Sequence, residues 1–443
     1  MKANNKTSVL FFPAFDWAIS PNHPEREERL LYTRDQIFEE GLMDIEGIIE
    51  YPPEICNLED IIKTHICVTE PEDILTESHL ISAGSCKAIA DSVLKGEVDK
   101  GIALVRPPGH HAMLVTHGSR GFCNINIEAV MVEYIRDNYD VKKIAIIDTD
   151  AHHADGTQDI YINDPDVLHI SVHQDGRTIF PGTGFPNDLG GPGGFAHTLN
   201  IPVPTNTTDE GLLYIMDNLI DPVLKDFEPD LIINAAGQDN HFTDPLTMMN
   251  ITAGGYAELT KRLDPDIVVL EGGYSIEGAL PYVNVGIILA LAGLDYSNVR
   301  EPKLDQLDMK SSPKIMDQIK DYVNHLSEVY NLRKDINLDE YFGSKDSYKK
   351  NRSIFYDTSG LLEKQREEFL KCDKCSGVRI VESSVYGRND IISIIVPRNA
   401  CEACQNKADN LTDDYVTLIE KYDYVYIQDH SRRNYSRFPE YKF

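Results

Sequence analysis

Positive charge is scarce: 42 Lys and Arg stand against 72 Asp and Glu, a formal net charge of −30 over 443 residues. Tight sequence-independent binding to nucleic acid draws on Lys and Arg at the phosphates, so this balance argues against it. It would suit a cationic substrate through long-range steering, although most of the charge serves solubility. Long apolar runs are missing too. The longest, Val285 to Leu294, is too short to span a bilayer and reads as a core helix. The opening MKANNKTSVLFFPAF has no extended apolar segment, so no secretory signal is expected and the cytoplasm is the expected location. Without an export signal, the eight cysteines do not suggest a disulfide framework. Cys56, Cys67 and Cys86 read as small buried hydrophobes. There is no internal repeat, no low-complexity tract, and no GxxxxGK or GxGxxG phosphate loop at the Gly272–Gly273 turn.

What is present is organised around IAIIDTDAHHADG, residues 144–156. A short apolar run closed by polar residues reads as a buried parallel strand, and ligands bind where such strands end. In an extended segment Asp148, Asp150 and His152 share one side. Asp150 and His152 are then placed to reach one divalent metal together. Strand IALV, 102–105, leads into RPPGHHA, where two prolines and Gly109 display His110 and His111 on a stiff platform. GSRGFCNIN, 118–126, carries Phe122 and Cys123 toward the same rim. VLHISVH, 167–173, alternates as a strand. The long Gly/Pro-rich loop 174–195 contains Phe180 before Pro181 and is expected to form an ordered binding rim.

DLIINAAGQDNHFTDPL, 230–246, repeats the pattern of apolar strand, glycine and polar end, with Asp239, His241 and Asp244 at its close. IVVLEGGYS, 267–275, does so again with Tyr274. Helices are expected over 79–94, 209–226, 252–263 and 278–294. Strands alternating with helices give an α/β class with a parallel sheet flanked by helices, its strand ends carrying the ionisable residues.

Beyond residue 300 the character changes. Apolar positions Ile315, Ile319, Val323, Leu326 and Tyr330 mark one helix over 313–333, which is expected to close a catalytic domain spanning 1–333. Residues 334–370 are charged and read as a connector with a helix near 360–371. A C-terminal module, 371–443, contains CDKC at 372–375 and CEAC at 401–404, with 25 residues between the pairs. Two such knuckles can place Cys372, Cys375, Cys401 and Cys404 around a structural Zn²⁺, making a zinc-ribbon-like unit. An Fe–S centre or free thiols are the alternatives. A thioredoxin-like redox site would lack its βαβ setting. VRIVES and IISIIV, between the pairs, look like a hairpin.

In that order RPPGHHA, DTDAHHADGTQ, FPGTG, AGQDNHFTDPL and LEGGYS resemble the histone deacetylases. The resemblance is closer to the bacterial and archaeal lysine-deacetylase-like branch that includes acetoin-utilisation proteins and acetylpolyamine amidohydrolases. It covers roughly residues 8–300 and leaves out the C-terminal module. It implies the arginase–deacetylase fold with an eight-stranded parallel sheet. It implies a catalytic Zn²⁺, or Fe²⁺, on Asp150, His152 and Asp244, with Asp239 and His241 nearby but not ligands. His110 and His111 would be the paired imidazoles, oriented by Asp148 and Asp155. Tyr274 would polarise the substrate carbonyl. Phe122, Phe180 and Gly273 would line the acyl-lysine tunnel. A K⁺ ion would use Asp148, Asp150, His152, Ser171 and the Val172 carbonyl. Two departures stand out: GFCNINIE replaces the commoner GFCxxNN, and Ala154 replaces a glycine.

The chemistry implied is amide hydrolysis by water activated at the metal, with the histidine pair as general base and acid and Tyr274 at the oxyanion. Substrates would be acylated lysines in protein or peptide, or acylated polyamines, with no direct nucleic-acid or membrane partner; homo-oligomerisation is compatible with this. The competing readings are a small-amide deacylase, an arginase-like ureohydrolase and a non-catalytic acyl-lysine reader.

Overall fold

A computed structural model describes residues 1–440 apart from 69, 308, 309, 418 and 420. Ten strands precede residue 300: β1 Lys2–Phe12, β2 Glu46–Tyr51, β3 Ile66–Cys67, β4 Lys100–Val105, β5 Val115–Thr116, β6 Ile144–Asp148, β7 Val167–Gln174, β8 Thr198–Val203, β9 Leu231–Ala236 and β10 Ile267–Leu270. Eight of them form one sheet in the order β2-β1-β4-β10-β9-β6-β7-β8, and every neighbouring pair is parallel. β3 and β5 make a separate two-stranded ladder. The expected eight-stranded parallel sheet is therefore present.

Central strands of such a sheet are covered on both faces and so read as continuous apolar runs. In β6, Ala145 and Ile147 face one apolar core, which gathers helices Leu31–Glu39, Ala253–Leu263, Leu280–Leu291 and Pro313–Leu332. Ile144 and Ile146 face a second core, with helices Leu58–Thr64, Glu77–Leu94 and Ile127–Asn138. The helix expected over 209–226 is Asp209–Phe227 with a widened π turn at Met216–Ile220. Among the described residues no helix is long and apolar enough to cross a membrane.

The strand order decides where the chemistry gathers. The chain lays down β4, moves on through β6, β7 and β8 to the edge, and returns to insert β9 and β10 between β4 and β6. Four consecutive strands, β4-β10-β9-β6, thus end side by side. Asp148 is level with Ala235, and Ala236 with Leu270, so the loops that follow emerge at one height.

Six more strands form a second sheet in sequential order: β11 Ser347–Tyr356, β12 Leu361–Leu370, β13 Val378–Val385, β14 Ile391–Val396, β15 Tyr424–Asp429 and β16 Asn434–Phe438. All pairs are antiparallel except β14–β15, which is parallel and joined through helix Glu402–Thr417. VRIVES and IISIIV form the expected hairpin.

Residues 334–370 correct the expectation of a charged connector. The helix expected near 360–371 is strand β12, and β11 is its partner. In β12, Glu363, Gln365, Glu367 and Phe369 are buried and alternate with exposed neighbours. The period is two, but the buried face is mostly polar, so an apolar pattern could not reveal it. Glu363 is satisfied by Tyr356, Gln365 and Ser383, while Glu367 accepts hydrogen bonds from Arg379 and is ion-paired with Arg352. The second sheet packs on the first unit through Val381, Ile391 and Tyr426 against Ile66, Val68, Leu114 and Val115.

Candidate active site

The loop after β6 turns its polar atoms back on itself. Asp148 Oδ1 accepts the Asp150 amide at 3.0 Å, and Asp150 Oδ1 accepts the His152 amide at 2.8 Å. The Asp150 carboxylate is then fixed from the far side by the Gly272 amide, which donates to Oδ2 at 2.7 Å. A Cβ on Gly237 or Gly272 would run into this carboxylate. The Gly-rich strand ends of β9 and β10 are therefore a requirement of close approach.

One set of donor atoms converges here: a carboxylate oxygen of Asp150, a ring nitrogen of His152 and a carboxylate oxygen of Asp239, all within 4.8 Å of one another. His152 Nδ1 lies 3.1 Å from Asp150 Oδ1 and 2.8 Å from Asp239 Oδ2. Asp239 Oδ1 accepts the Ala151 amide at 2.8 Å. Asp244, the expected third ligand, is not in this set but lies beside it, close enough for the Asp239 and His152 charges to act on its carboxyl. Each Asp244 oxygen accepts a backbone amide, Leu246 at 2.9 Å and Tyr274 at 2.7 Å, just as both Asp150 oxygens do, and an oxygen so held keeps a lone pair for a metal. Asp244 borders the cluster and positions the segment that carries Tyr274.

The electrostatics favour a cation at this point. Asp148, Asp150 and Asp239 are fully buried and Asp244 nearly so. Burial, then the Asp150 charge, raises the Asp239 carboxyl; burial, then Asp239, pushes Asp244 up to about 7. Burial works against a charged His152, yet Asp239 and Asp150 hold it up to about 10. Crowded buried carboxylates sharing an imidazole proton are a donor set that a divalent metal satisfies better, with release of that proton. Two oxygens and one nitrogen suit Zn²⁺ or Fe²⁺, and three protein donors leave positions open.

The two histidines on the loop after β4 lie beside this cluster, ring centroids 4.1 Å apart. Each has its own carboxylate: His110 Nδ1 is 3.0 Å from Asp148 Oδ2, and His111 Nδ1 is 2.9 Å from Asp155 Oδ1. Their environments diverge. Burial opposes charge on His110, but Asp150 and Asp148 outweigh it and raise this imidazole well above its ordinary value. Burial and the neighbouring His110 push His111 down to about 3. Glu271 holds the loop itself, accepting the amides of Gly109 at 2.7 Å and His110 at 3.0 Å.

Tyr274 follows β10, after Gly273 at φ +120°. The Arg29 guanidinium lies 5.0 Å over its ring, and Arg29 Nε donates to the Gly273 carbonyl at 2.7 Å. Glu25 pairs with Arg29 at 2.8 Å and with Arg106 at 2.7 Å, all three fully buried. Phe122 stands edge-on to Tyr274 at 5.6 Å, and Phe180 edge-on to His111 at 5.0 Å. Both aromatics are half-buried. The 174–195 loop that carries Phe180 is pinned: His173 Nε2 meets the Gly184 carbonyl at 2.9 Å, and His153 meets Thr183 at 2.8 Å. Ser171 lies level with Asp148 across β6–β7, and its hydroxyl is 2.8 Å from His173 Nδ1. Val172 follows it inside β7.

Several participants carried no sequence signal. Arg120 donates to both oxygens of Asp155, at 2.8 and 2.6 Å, and so shares the carboxylate of His111. Arg29, Glu25 and Arg106 lie more than 160 residues from Tyr274 or in a segment without a pattern of its own. Only GxD in AAGQDN, a glycine two residues before a buried acid at a strand end, could have pointed to Asp239.

Residues 54–284 match the histone deacetylase domain. The chain is 44% identical over 311 residues to a probable deacetylase of Archaeoglobus fulgidus, covering 64% of this chain and 85% of that protein. It is 35% identical over 239 residues to a histone deacetylase-like amidohydrolase of Pseudomonas aeruginosa, covering 52% of this chain and 62% of the relative. It is 39% identical over 215 residues to the chloroplastic histone deacetylase 14 of Arabidopsis thaliana, of which it spans 50%. Among solved structures, the HDA15 HD domain superposes with a TM-score of 0.64 at 26% identity, covering 74% of this chain and 96% of that one. The domain match ends before the second sheet begins.

Proposed function

Because this chain belongs to the histone deacetylase family, we propose that it is a metal-dependent amidohydrolase that removes an acyl group, acetyl foremost, from a lysine side chain or a similarly acylated amine. The observation that carries this reading is the donor cluster of Asp150, His152 and Asp239, with Asp244 at its border, lying beside two histidines that each meet a buried carboxylate. An arginase-like ureohydrolase would need further acidic ligands in place of the histidine pair and tyrosine. A non-catalytic reader would have no use for two imidazoles held at such different affinities for a proton.

A divalent cation on Asp150, His152 and Asp244, with Asp239 beside them, would supply Lewis acidity and make a neighbouring water more acidic. The protein's own groups do the rest. His111, kept neutral by burial and by His110, is the general base. Its Nδ1 is engaged by Asp155, so Nε2 is the atom that takes a proton from the attacking water and returns it to the leaving amine. His110, kept charged by Asp150 and Asp148, stabilises negative charge developing on the carbonyl. Tyr274 donates its hydroxyl to the same oxygen. Phe122 and Phe180 offer apolar walls to the methylenes of an acylated lysine. A K⁺ ion held by Asp148, Asp150, His152, Ser171 and the Val172 carbonyl, where β6 and β7 end together, belongs to the same proposal.

The purified protein should hydrolyse a fluorogenic acetyl-lysine peptide, lose that activity to a chelator and regain it with Zn²⁺. An acetylpolyamine panel run beside it tells a small-amine substrate from a peptide one. A metal-loaded protein inert toward every acylated amine in both panels would end the proposal. Gly121→Ala offers a finer check. Gly121 has φ +53°, and a Cβ there would overlap the His111 ring. The variant should keep its metal by elemental analysis while kcat falls about 10²-fold, the typical worth of a positioned base. An unchanged kcat would remove His111 from that role.

A further inference from the structure

Two features of the second sheet serve nothing described so far: four clustered sulfurs at one end of β12 and a turn at the other that reaches the active-site rim. Cys372 and Cys375 follow β12, while Cys401 and Cys404 lie at the start of the helix after β14. Their Sγ atoms are 3.7 Å apart for Cys372–Cys401, 3.8 Å for Cys375–Cys401 and 3.4 Å for Cys375–Cys404. A disulfide would bring two sulfurs to about 2.0 Å and leave the others out. Four sulfurs at about 2.3 Å from a tetrahedral centre stand about 3.8 Å apart, which is the spacing seen here. Backbone amides of Lys374 and Gly377 donate to Cys372 and Cys375 at 3.4 and 3.5 Å. Donors of this kind suit thiolates.

From Cys372 back along β12, the strand is locked to the catalytic unit. Glu367 pairs with Arg379 at 2.7 Å. Arg379 and Arg352 both pair with Asp159, whose other oxygen accepts the Leu114 amide at 3.0 Å. Asp159 belongs to helix Asp155–Tyr161, which begins at the carboxylate partner of His111. At the far end of β12, the turn from β11 touches the loop that backs His111. Asp357 Oδ1 accepts the Gly121 amide at 2.8 Å, and Ser359 Oγ accepts the Ser119 amide at 2.9 Å. That loop carries Arg120 onto Asp155 and presses Gly121 against the His111 ring.

We propose that Cys372, Cys375, Cys401 and Cys404 bind one thiophilic cation of the zinc class, and that the sheet it fixes is a brace that positions His111, with Asp357 as its contact. The metal half stands alone; the catalytic consequence of the brace rests on the deacylase reading above.

The test uses the full chain. Elemental analysis should find two metal equivalents, one lost in Cys375→Ser/Cys404→Ser and the other in Asp150→Ala. Replacement with Co²⁺ should give intense thiolate-to-metal absorption in the wild type, and this reading does not need the cysteine variant to fold. A single equivalent, lost in Asp150→Ala, with no thiolate band, would overturn the metal half. For the brace, Asp357→Ala should speed amide exchange in the peptide covering 118–123 and lower kcat about tenfold with KM nearly unchanged, whereas Asp357→Asn, which still accepts the Gly121 amide, should restore both. The cysteine variant should speed exchange in the same peptide. Exchange there as slow as in the wild type, in either variant, would overturn the brace, whether or not a substrate is in hand.

Discussion

Tyr274→Phe is expected to fold, to hold its metal and to lose about 10²–10³-fold in kcat toward an acetyl-lysine peptide, with KM changed little; that is the usual cost of removing one donor from an oxyanion site. The reasons lie in what surrounds the ring. It is buried, with Phe122 edge-on and Arg29 over its face. Phenylalanine keeps all of that packing and removes one hydroxyl. Burial pushes the phenol well above its ordinary value, with Arg29 only partly opposing, so the hydroxyl remains a proton donor across the neutral range. The backbone is fixed independently of it: Asp244 accepts the Tyr274 amide and Arg29 donates to the Gly273 carbonyl. Loss of rate without loss of metal, read by steady-state kinetics and elemental analysis on the same preparation, identifies the hydroxyl as a transition-state contact. A kcat within a few fold of the wild type would remove it.

Much of this site was legible because parallel strands announce themselves. The apolar runs of β4, β6, β9 and β10 end in histidine, aspartate or tyrosine, and a parallel sheet collects such ends on one edge. What the sequence could not carry was strand order and reach. Asp239 and Asp244 lie five residues apart on one loop, and only the fold shows that the first meets His152 while the second accepts two amides. Arg120 and Glu271 act through partners 35 and 162 residues away, beyond any local pattern. β12 was illegible for a different reason. Its buried face is built of glutamates and a glutamine that find arginine, tyrosine and serine partners from other strands, so its alternation is one of burial and not of hydropathy. The four cysteines were legible because two Cys-x-x-Cys pairs are a spacing written in the chain itself; the turn at Asp357 has none.

The sharpest remaining expectation separates the two aspartates. Asp150→Ala and Asp244→Ala should each strip the catalytic metal and bring hydrolysis to background, because each removes one of the three proposed ligands. Compensation by a neighbour is blocked. Asp148 is committed to His110 and to the Asp150 amide, and the Gly237 and Gly272 backbones close the space into which another side chain would swing. Asp239→Ala should behave differently. Its carboxylate accepts the Ala151 amide and meets His152 Nδ1, both at 2.8 Å, so the variant should keep close to a full equivalent of metal and lose about 10–100-fold in activity, as groups that orient a site do. Dialysis against a graded chelator series, with metal content and kcat followed together, distinguishes the two patterns. Should Asp244→Ala retain its metal and Asp239→Ala lose it, the two acids would exchange roles, and Asp239 would be the third ligand beside Asp150 and His152.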